Sequence, residues 1–188
     1  MYKKRGTEIK GEELSLIQRA IRGNVDAFGR LYDMYVDRVY RYIYYRVGNV
    51  ADAEDLTQQV FLKAWQAIGR YKKTKSPFLA WLMTISHNMV VDFYRTKKDN
   101  TNLENDITSG DSESSPEKAA EAQFEQKRLR RAILQLRGDN QQVVLLRLIE
   151  GFQFKEIASL LGKSEGAIRV ILHRALVKLR QILEKEKD

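Results

Sequence analysis

The chain has no cysteine, two prolines and two histidines in 188 residues, and each scarcity removes a class of function. Without cysteine there is no disulfide framework, no thiolate zinc site and no thiol redox chemistry. His87 and His173 lie far apart in sequence, and no cluster of carboxylates accompanies either. No metal-ligand set and no catalytic constellation can therefore be read. The acids are scattered, which disfavours a metal-dependent nuclease, and neither an enzyme nor a bound cofactor is expected. Strand signals are sparse: there is no Asn-Gly or Asp-Gly turn, and Pro77 and Pro116 are the only prolines. No apolar run approaches the roughly 20 residues needed to cross a bilayer. Met1 to Lys10 is polar, without the apolar centre of a secretory signal. A cytoplasmic protein without membrane insertion is the expectation.

What is present is charge, unevenly placed. The formal net charge of +8 by itself favours a polyanionic partner only weakly. Residues 1–98 carry a net +8, residues 99–118 a net −5 and residues 119–188 a net +5. The acidic strip from Asp99 to Pro116 has only Leu103 and Ile107 as apolar residues. That is too little apolar surface to offset chain entropy, so 99–118 reads as a flexible linker between two basic modules, 1–98 and 119–188.

Both modules read as helical. Gly23-Asn24 breaks the chain before a segment through Tyr45, and Gly48-Asn49 breaks it again before Asp52–Ile68. Ser76-Pro77 supplies an N-cap and a proline at the first helical position, opening a helix through about Thr96. Beyond the linker, Glu117–Leu136 is expected to be helical. Asp139 and Gln142 have capping-box spacing, Gly151 closes that helix, and Gln153–Leu161 and Ser164–Glu184 follow with Gly162 between them. The expected fold is all-α.

The C-terminal pair has helix-turn-helix form: Ala158 is small at the crossing, Gly162 lies in the turn and Ser164 caps the second helix. At 100° per residue, Ile168, Ile171, Leu172, Ala175, Leu176 and Leu179 share one stripe to be buried. The opposite face shows Gly166, Arg169, Val170, His173 and Arg174. Arginine can bond guanine edges bidentately or hold a phosphate, and Lys155 and Lys163 are placed to meet phosphates. A plain helical hairpin with a solvated basic face is the alternative.

Two N-terminal helices carry further signals. In Asp52–Ile68, Leu56, Val60, Phe61, Ala64 and Trp65 form an apolar sector. Leu62 projects into the polar sector of Asp55, Gln58, Gln59 and Gln66. An apolar residue ringed by polar ones suits a partner contact, although a single exposed leucine is also ordinary. From Pro77 onward, Phe78, Leu82, Ile85, Met89 and Phe93 project inward. Thr84, Asn88, Val91 and Arg95 fall on the other side with Trp81 at the border. Lys72, Lys73 and Lys75 precede the helix and Lys97 and Lys98 end it. An amide and an aromatic ring among cations suit unstacked bases; a solvated amphipathic helix fits the same pattern.

Taken together, these residues resemble the extracytoplasmic-function sigma factors of bacterial RNA polymerase over nearly the whole chain. Asp26-Ala27-Phe28 with Leu31-Tyr32 looks like the opening of the sigma-2 domain. Asp52 to Trp65 is similar to the family's polymerase-docking helix. Phe78, Trp81-Leu82, Ile85, Asn88, Asp92 and Arg95 are similar to its promoter-melting helix, and Glu156-Ile157-Ala158 through Leu172-His173-Arg174-Ala175 to the sigma-4 helix-turn-helix. The resemblance implies a two-domain protein that binds core RNA polymerase and promoter DNA and leaves the chemistry to the polymerase. It implies that Asp55, Gln58, Gln59 and Leu62 dock on the polymerase. Trp81, Thr84, Asn88 and Arg95 would take the minus-ten element, Asn88 by capturing an extruded base. Lys155, Lys163, Gly166, Arg169, Val170, His173 and Arg174 would read the minus-thirty-five duplex. It also implies an anti-sigma factor as partner. Departures from the family pattern are Leu136-Arg137-Gly138 in place of Leu-Pro, Gln153 as a cap, and Gly166-Ala167-Ile168. The competing reading is a helix-turn-helix regulator that binds operator DNA without polymerase; it leaves the Asp52–Trp65 helix and the Asn88 face without a role.

Overall fold

Small polar caps and glycines partition the chain. The computed structural model describes residues 2–72, 77–100, 127–136 and 138–185, and among them helices are the only regular structure. Helix α1 (Tyr2–Ile21) comes first. Asn24 opens α2 (Val25–Val47) by accepting from the Ala27 N–H at 2.7 Å, and Gly48 ends it in the left-handed region, at φ +80°. Asn49 then caps α3 (Val50–Ala67), accepting from Asp52 N–H at 3.0 Å. Because Asn49 supplies the cap, α3 starts before the expected Asp52. A 3₁₀ turn, Ile68–Arg70, follows. Helix α4 (Phe78–Asn100) begins just after Pro77, whose carbonyl accepts from Trp81 N–H at 3.1 Å, so the proline stands at the cap and not inside the first turn. Ser76, Lys73 and Lys75 lie outside the described residues, as do Arg137 and residues 101–126, which hold most of the expected linker and the start of the next helix.

The apolar stripes of these helices meet. Leu16, Ile17 and Ala20 of α1, Leu31, Val39, Tyr42 and Ile43 of α2, Val60 and Ala64 of α3, and Phe78, Leu82 and Met83 of α4 are buried. Each such large side chain contributes about 1.5–3 kcal/mol by leaving water. Aromatic rings wedge the end of this bundle: Tyr71 lies 5.4 Å from Phe78 and 5.1 Å from Trp81. Burial, and then the nearby Glu13 carboxylate, push the Tyr71 phenol up to about 12. It is therefore neutral at any physiological pH.

The C-terminal helices are α5 (127–135), α6 (Asp139–Val144), α7 (Phe154–Leu161) and α8 (Glu165–Lys185). A single π turn, Leu145–Ile149, extends α6. Two expectations are corrected here. Asp139 and Gln142 form no capping box: Gly138, at φ +56°, precedes α6 without a side-chain cap. The Gln142 amide instead donates to the Tyr42 hydroxyl at 3.3 Å and to Nδ1 of His87. A buried amide needs both donors used, and the partners that satisfy them come from the other half of the chain. Leu176 is also not buried; it is 39% exposed. The contact line of α8 runs through Ile168, Ala175 and Leu179, and Leu176 turns about 100° off that line.

The two halves are joined by polar contacts. The Glu150 side chain is fully buried between Arg38, whose Nε donates at 2.8 Å, and Arg41, whose Nε donates at 3.0 Å. Arg38 also bonds the Glu150 carbonyl at 2.6 Å. Arg130 of α5 bonds the Gly48 carbonyl and lies 3.8 Å over the Tyr44 ring. His87 has its pKa lowered by burial first and by the Arg46 cation second, against a raising effect of Asp139. Its neutral Nδ1 accepts from Gln142, a role that protonation removes.

These contacts predict how docking of the halves responds to charge and pH. A charge-assisted hydrogen bond contributes about 1.5–3 kcal/mol, so Glu150→Gln shifts the chain toward separated halves. Acid acts in the same direction. His87 titrates below its ordinary 6.5 when docked and nearer to it when freed. The freed state gains protons first, and docking weakens as pH falls through about 6.5. The chain has no cysteine, so Gln18→Cys and Lys178→Cys provide unique sites for a dye pair. Energy transfer is expected to drop with Glu150→Gln and on going from pH 7.5 to 5.5; transfer unchanged in both arms refutes a role for these contacts in docking the halves.

Candidate protein and nucleic-acid interfaces

Three exposed faces stand on this frame. The first is on α3. Leu56, Val60, Phe61 and Ala64 turn inward, and Phe28 and Tyr32 of α2 close over them, with Phe28 5.0 Å from Trp65 and Tyr32 4.6 Å from Phe61. Asp55, Gln58, Gln59 and Leu62 are left together on the outer face, where Gln59 donates to the Asp55 carboxylate. Leu62 is 58% exposed. It packs on nothing in the core, so the polar ring around it is a surface feature of the folded protein.

The second face is on α4. Leu82 and Met89 are buried beneath it, with Ile85 and Phe93 half-buried. Asn88, Val91 and Arg95 are exposed, and Trp81 and Thr84 are half-buried at one end. These residues do not all offer the same chemistry. Thr84 donates its hydroxyl proton to the Ala80 carbonyl at 3.0 Å, leaving its oxygen as an acceptor. Trp81 is held in the aromatic wedge, 5.4 Å from Phe78. Arg95 pairs with Asp92 at 3.0 Å. Asn88 makes no side-chain hydrogen bond to another described residue, so its amide donor and acceptor are both available.

The third face is on α7 and α8. Ser164 accepts from Ala167 N–H at 3.1 Å and starts α8 as expected. Gly162 turns the chain at φ +63°. Gln153 starts α7, its N–H bonded to the Glu156 carboxylate at 2.8 Å. Gly166, Arg169, Val170, His173 and Arg174 are exposed along one side of α8, and Lys155 is exposed at the start of α7. Arg169 is oriented by the Phe154 ring, 4.2 Å below its guanidinium, and by Glu165 at 3.8 Å. Lys163 is engaged differently from the others: its ammonium pairs with Asp139 at 3.0 Å.

The sequence reading missed the contact surface between the halves. Arg38, Arg41, Gln141 and Glu150 were not singled out, and Gln142 was read only for its capping-box spacing. The available signal was Glu150 itself, a lone acid closing the run Val143–Ile149, which is apolar but for Arg147. Among the described residues there is no group of acids and histidines able to hold a metal ion, and no helix long and apolar enough to cross a membrane.

Comparisons with known proteins bear on these faces. Residues 31–99 match the family described as Sigma-70 region 2, and residues 126–179 match Sigma-70, region 4. The chain is 40% identical to the ECF RNA polymerase sigma factor BldN of Streptomyces coelicolor across 90% of its own length, spanning 65% of that protein. It is 30% identical to the ECF RNA polymerase sigma factor SigL of Mycobacterium tuberculosis, covering 82% of this chain and 88% of that one. The structure of CnrH in complex with the cytosolic domain of CnrY matches with a TM-score of 0.71 and 25% identity over 93% of this chain and 98% of that one. The sigma factor RpoE of Bartonella quintana, solved with the anti-sigma factor NepR, shares the fold at a TM-score of 0.69 and 21% identity, over 85% of this chain and 98% of that one.

The burial pattern on α3 makes a prediction that is independent of any partner. Leu62→Arg is expected to change unfolding free energy by no more than about 0.5 kcal/mol. Leu56→Ala, one and a half turns earlier on the buried side, is expected to cost about 2–5 kcal/mol. Urea unfolding of both variants checks this; a large loss with Leu62→Arg means that the leucine is a core residue.

Proposed function

The chain belongs to the extracytoplasmic-function RNA polymerase sigma factors, and from that premise we propose how its surfaces divide the work of promoter recognition. Residues 1–98 act as the sigma-2 part, 119–188 as the sigma-4 part and 99–118 as the linker. The α3 face, Asp55, Gln58, Gln59 and Leu62, docks on core polymerase, with Leu62 as the apolar anchor inside a polar rim. The α4 face, Trp81, Thr84, Asn88 and Arg95, receives the minus-ten element. The α7–α8 face, Lys155, Lys163, Gly166, Arg169, Val170, His173 and Arg174, reads the minus-thirty-five element. The observation that carries this is the exposure of all three faces in one folded chain, at the positions of two matched sigma regions. An operator-binding regulator has no use for an exposed leucine on α3 or an unengaged amide on α4.

The mechanism is binding energy spent on strand separation. Unstacking one base costs a few kcal/mol and is offset by contacts available only to the extruded base. Asn88 carries the donor and acceptor pair for such a contact. No bond is made or broken by the protein, and catalysis belongs to the polymerase.

The docked arrangement limits how both elements can be reached. His87 touches Gln142, and Asp139, one turn earlier, touches Lys163, so Asn88 and Arg169 stand within roughly 45 Å even with every side chain at full stretch. Elements about 25 base pairs apart on B-DNA are about 85 Å apart. We infer that the halves separate when the promoter is read, and that Lys163 then exchanges Asp139 for a phosphate. CnrH is solved with CnrY, and RpoE with the anti-sigma factor NepR. We propose that an anti-sigma factor likewise controls this chain by covering the exposed faces.

Two measurements test the division. The first uses the full-length chain on matched and scrambled minus-thirty-five duplexes. Arg169→Ala or Arg174→Ala is expected to cost about 1–3 kcal/mol on the matched duplex if the arginine reads a base. A phosphate contact weakens all sequences alike and lowers the salt slope by about one. No loss with either variant removes α8 from the assignment. The second is permanganate footprinting with core polymerase on linear promoter DNA. Asn88→Ala is expected to retain core binding and to open the minus-ten region more slowly; opening as fast as the parent refutes base capture by Asn88.

A further inference from the structure

In its first three turns α8 carries a single acid, Glu165, its first residue. Arg169 stands one turn further on, and the two side chains pair at 3.8 Å while remaining 46% and 60% exposed. The acid is not needed to cap the helix, because Ser164 already accepts from the Ala167 N–H at 3.1 Å. The Arg169 guanidinium lies over the Phe154 ring, 4.2 Å from its centroid. That ring is itself held: the Arg147 guanidinium lies 4.8 Å from the same centroid, and Arg147 donates to the Phe152 carbonyl at 2.9 Å. A planar cation on an aromatic face is pre-organised, so it gives up little freedom on making further hydrogen bonds. A carboxylate and a guanidinium thus form one exposed, oriented unit at the N-terminal end of α8. That is the end of a recognition helix that meets base edges in the major groove.

We propose that Glu165 and Arg169 together read one G·C pair of the minus-thirty-five duplex, with Phe154 as the residue that positions the arginine. The inference rests on the reading of α8 as the duplex reader and gives parts to Glu165 and Phe154, which that reading left out. Phosphates repel a carboxylate, so an acid on a helix that approaches DNA is a cost unless it faces a donor. In the major groove the donors are the exocyclic amines of cytosine and adenine, and a carboxylate only accepts. Arginine takes the O6 and N7 of guanine with its fork. Guanine O6 and the N4 of its paired cytosine are hydrogen-bonded to each other and so lie about 3 Å apart. The Glu165 and Arg169 groups are separated by a similar distance, 3.8 Å. Arg169 therefore matches the guanine and Glu165 its cytosine. An A·T pair inverts both contacts, setting the adenine amine against the guanidinium and thymine O4 against the carboxylate.

The test uses the full-length chain. Duplexes randomised over the minus-thirty-five element are selected for binding, and each position of the selected sequence is then changed to all four base pairs. The parent is expected to demand G·C at one position that Arg169→Ala and Glu165→Ala both relax, each lowering discrimination there roughly tenfold. Glu165→Ala is also expected to bind scrambled duplex more tightly, because a repelling charge is gone. Phe154→Leu is expected to reduce discrimination at the same position about two- to fivefold, and Phe154→Tyr to retain it. In the Arg169→Ala background Phe154→Leu should relax that position no further; a further loss there overturns the positioning role. The Glu165 arm decides even where Phe154→Leu fails to fold. Glu165→Ala that tightens binding to every duplex alike, or that relaxes a position other than the one Arg169→Ala relaxes, overturns the paired reading. In that case a preference still lost with Arg169→Ala leaves α8 as the duplex reader. If no α8 variant alters preference at any position, the assignment of α8 itself fails.

Discussion

One buried carboxylate determines how the parts of this protein are presented. The Glu150 side chain has no solvent contact, and its charge is balanced by Arg38 and Arg41, both from the other half of the chain. Each arginine is partly open to water, so the pair is not sealed in a low-dielectric interior. A buried ion pair contributes little net stability once desolvation is counted, yet losing one partner is costly. Such a contact specifies one docked geometry without binding it tightly. That suits the proposed separation of the two halves when the promoter is read.

The rest of the seam has the same character. Gln141 donates to the carbonyls of Tyr45 and Ile133, Gln142 to Tyr42 and His87, and Arg130 to Gly48. Hydrogen bonds of this kind are replaceable by water at modest cost. A seam of leucines would lose about 25 cal/mol for each Å² exposed on opening. Apolar side chains meet across the seam as well: Leu134 lies against Gly48, and the buried side chains of both halves form one cluster.

Within the sigma-2 half, the faces proposed for docking and for strand capture share a helix pair. Leu62 and Lys63 are neighbours on α3 that point about 100° apart, one toward the proposed polymerase face and one toward the hollow that it lines with Ile85 and Asn88 of α4. A short amphipathic helix can serve two partners because only its inner stripe is committed to the core. The price is paid nowhere in packing: Val60 and Ala64 remain fully buried beneath both.

Much of this was legible in the residues. The helical class, the break at Gly23-Asn24, the cap at Ser164, the turn at Gly162, the outward side of α8 and the displaced Leu62 all follow from local rules. Helical periodicity and capping act within a few residues, so sequence alone determines them. The same rules failed where a distant partner competed. Gln142 has capping-box spacing but turns to Tyr42 and His87, and Leu176 falls in the apolar stripe but stays exposed. Asp52 looked like the start of α3 until Asn49 proved to be its cap. What only the tertiary structure decided is the placement of Glu150 against Arg38 and Arg41, and of Arg169 over the Phe154 ring. Arg38 and Glu150 are separated by 112 positions, and in both cases the partners lie on different elements of the chain. No local periodicity links such residues; only packing the helices together brings them within reach.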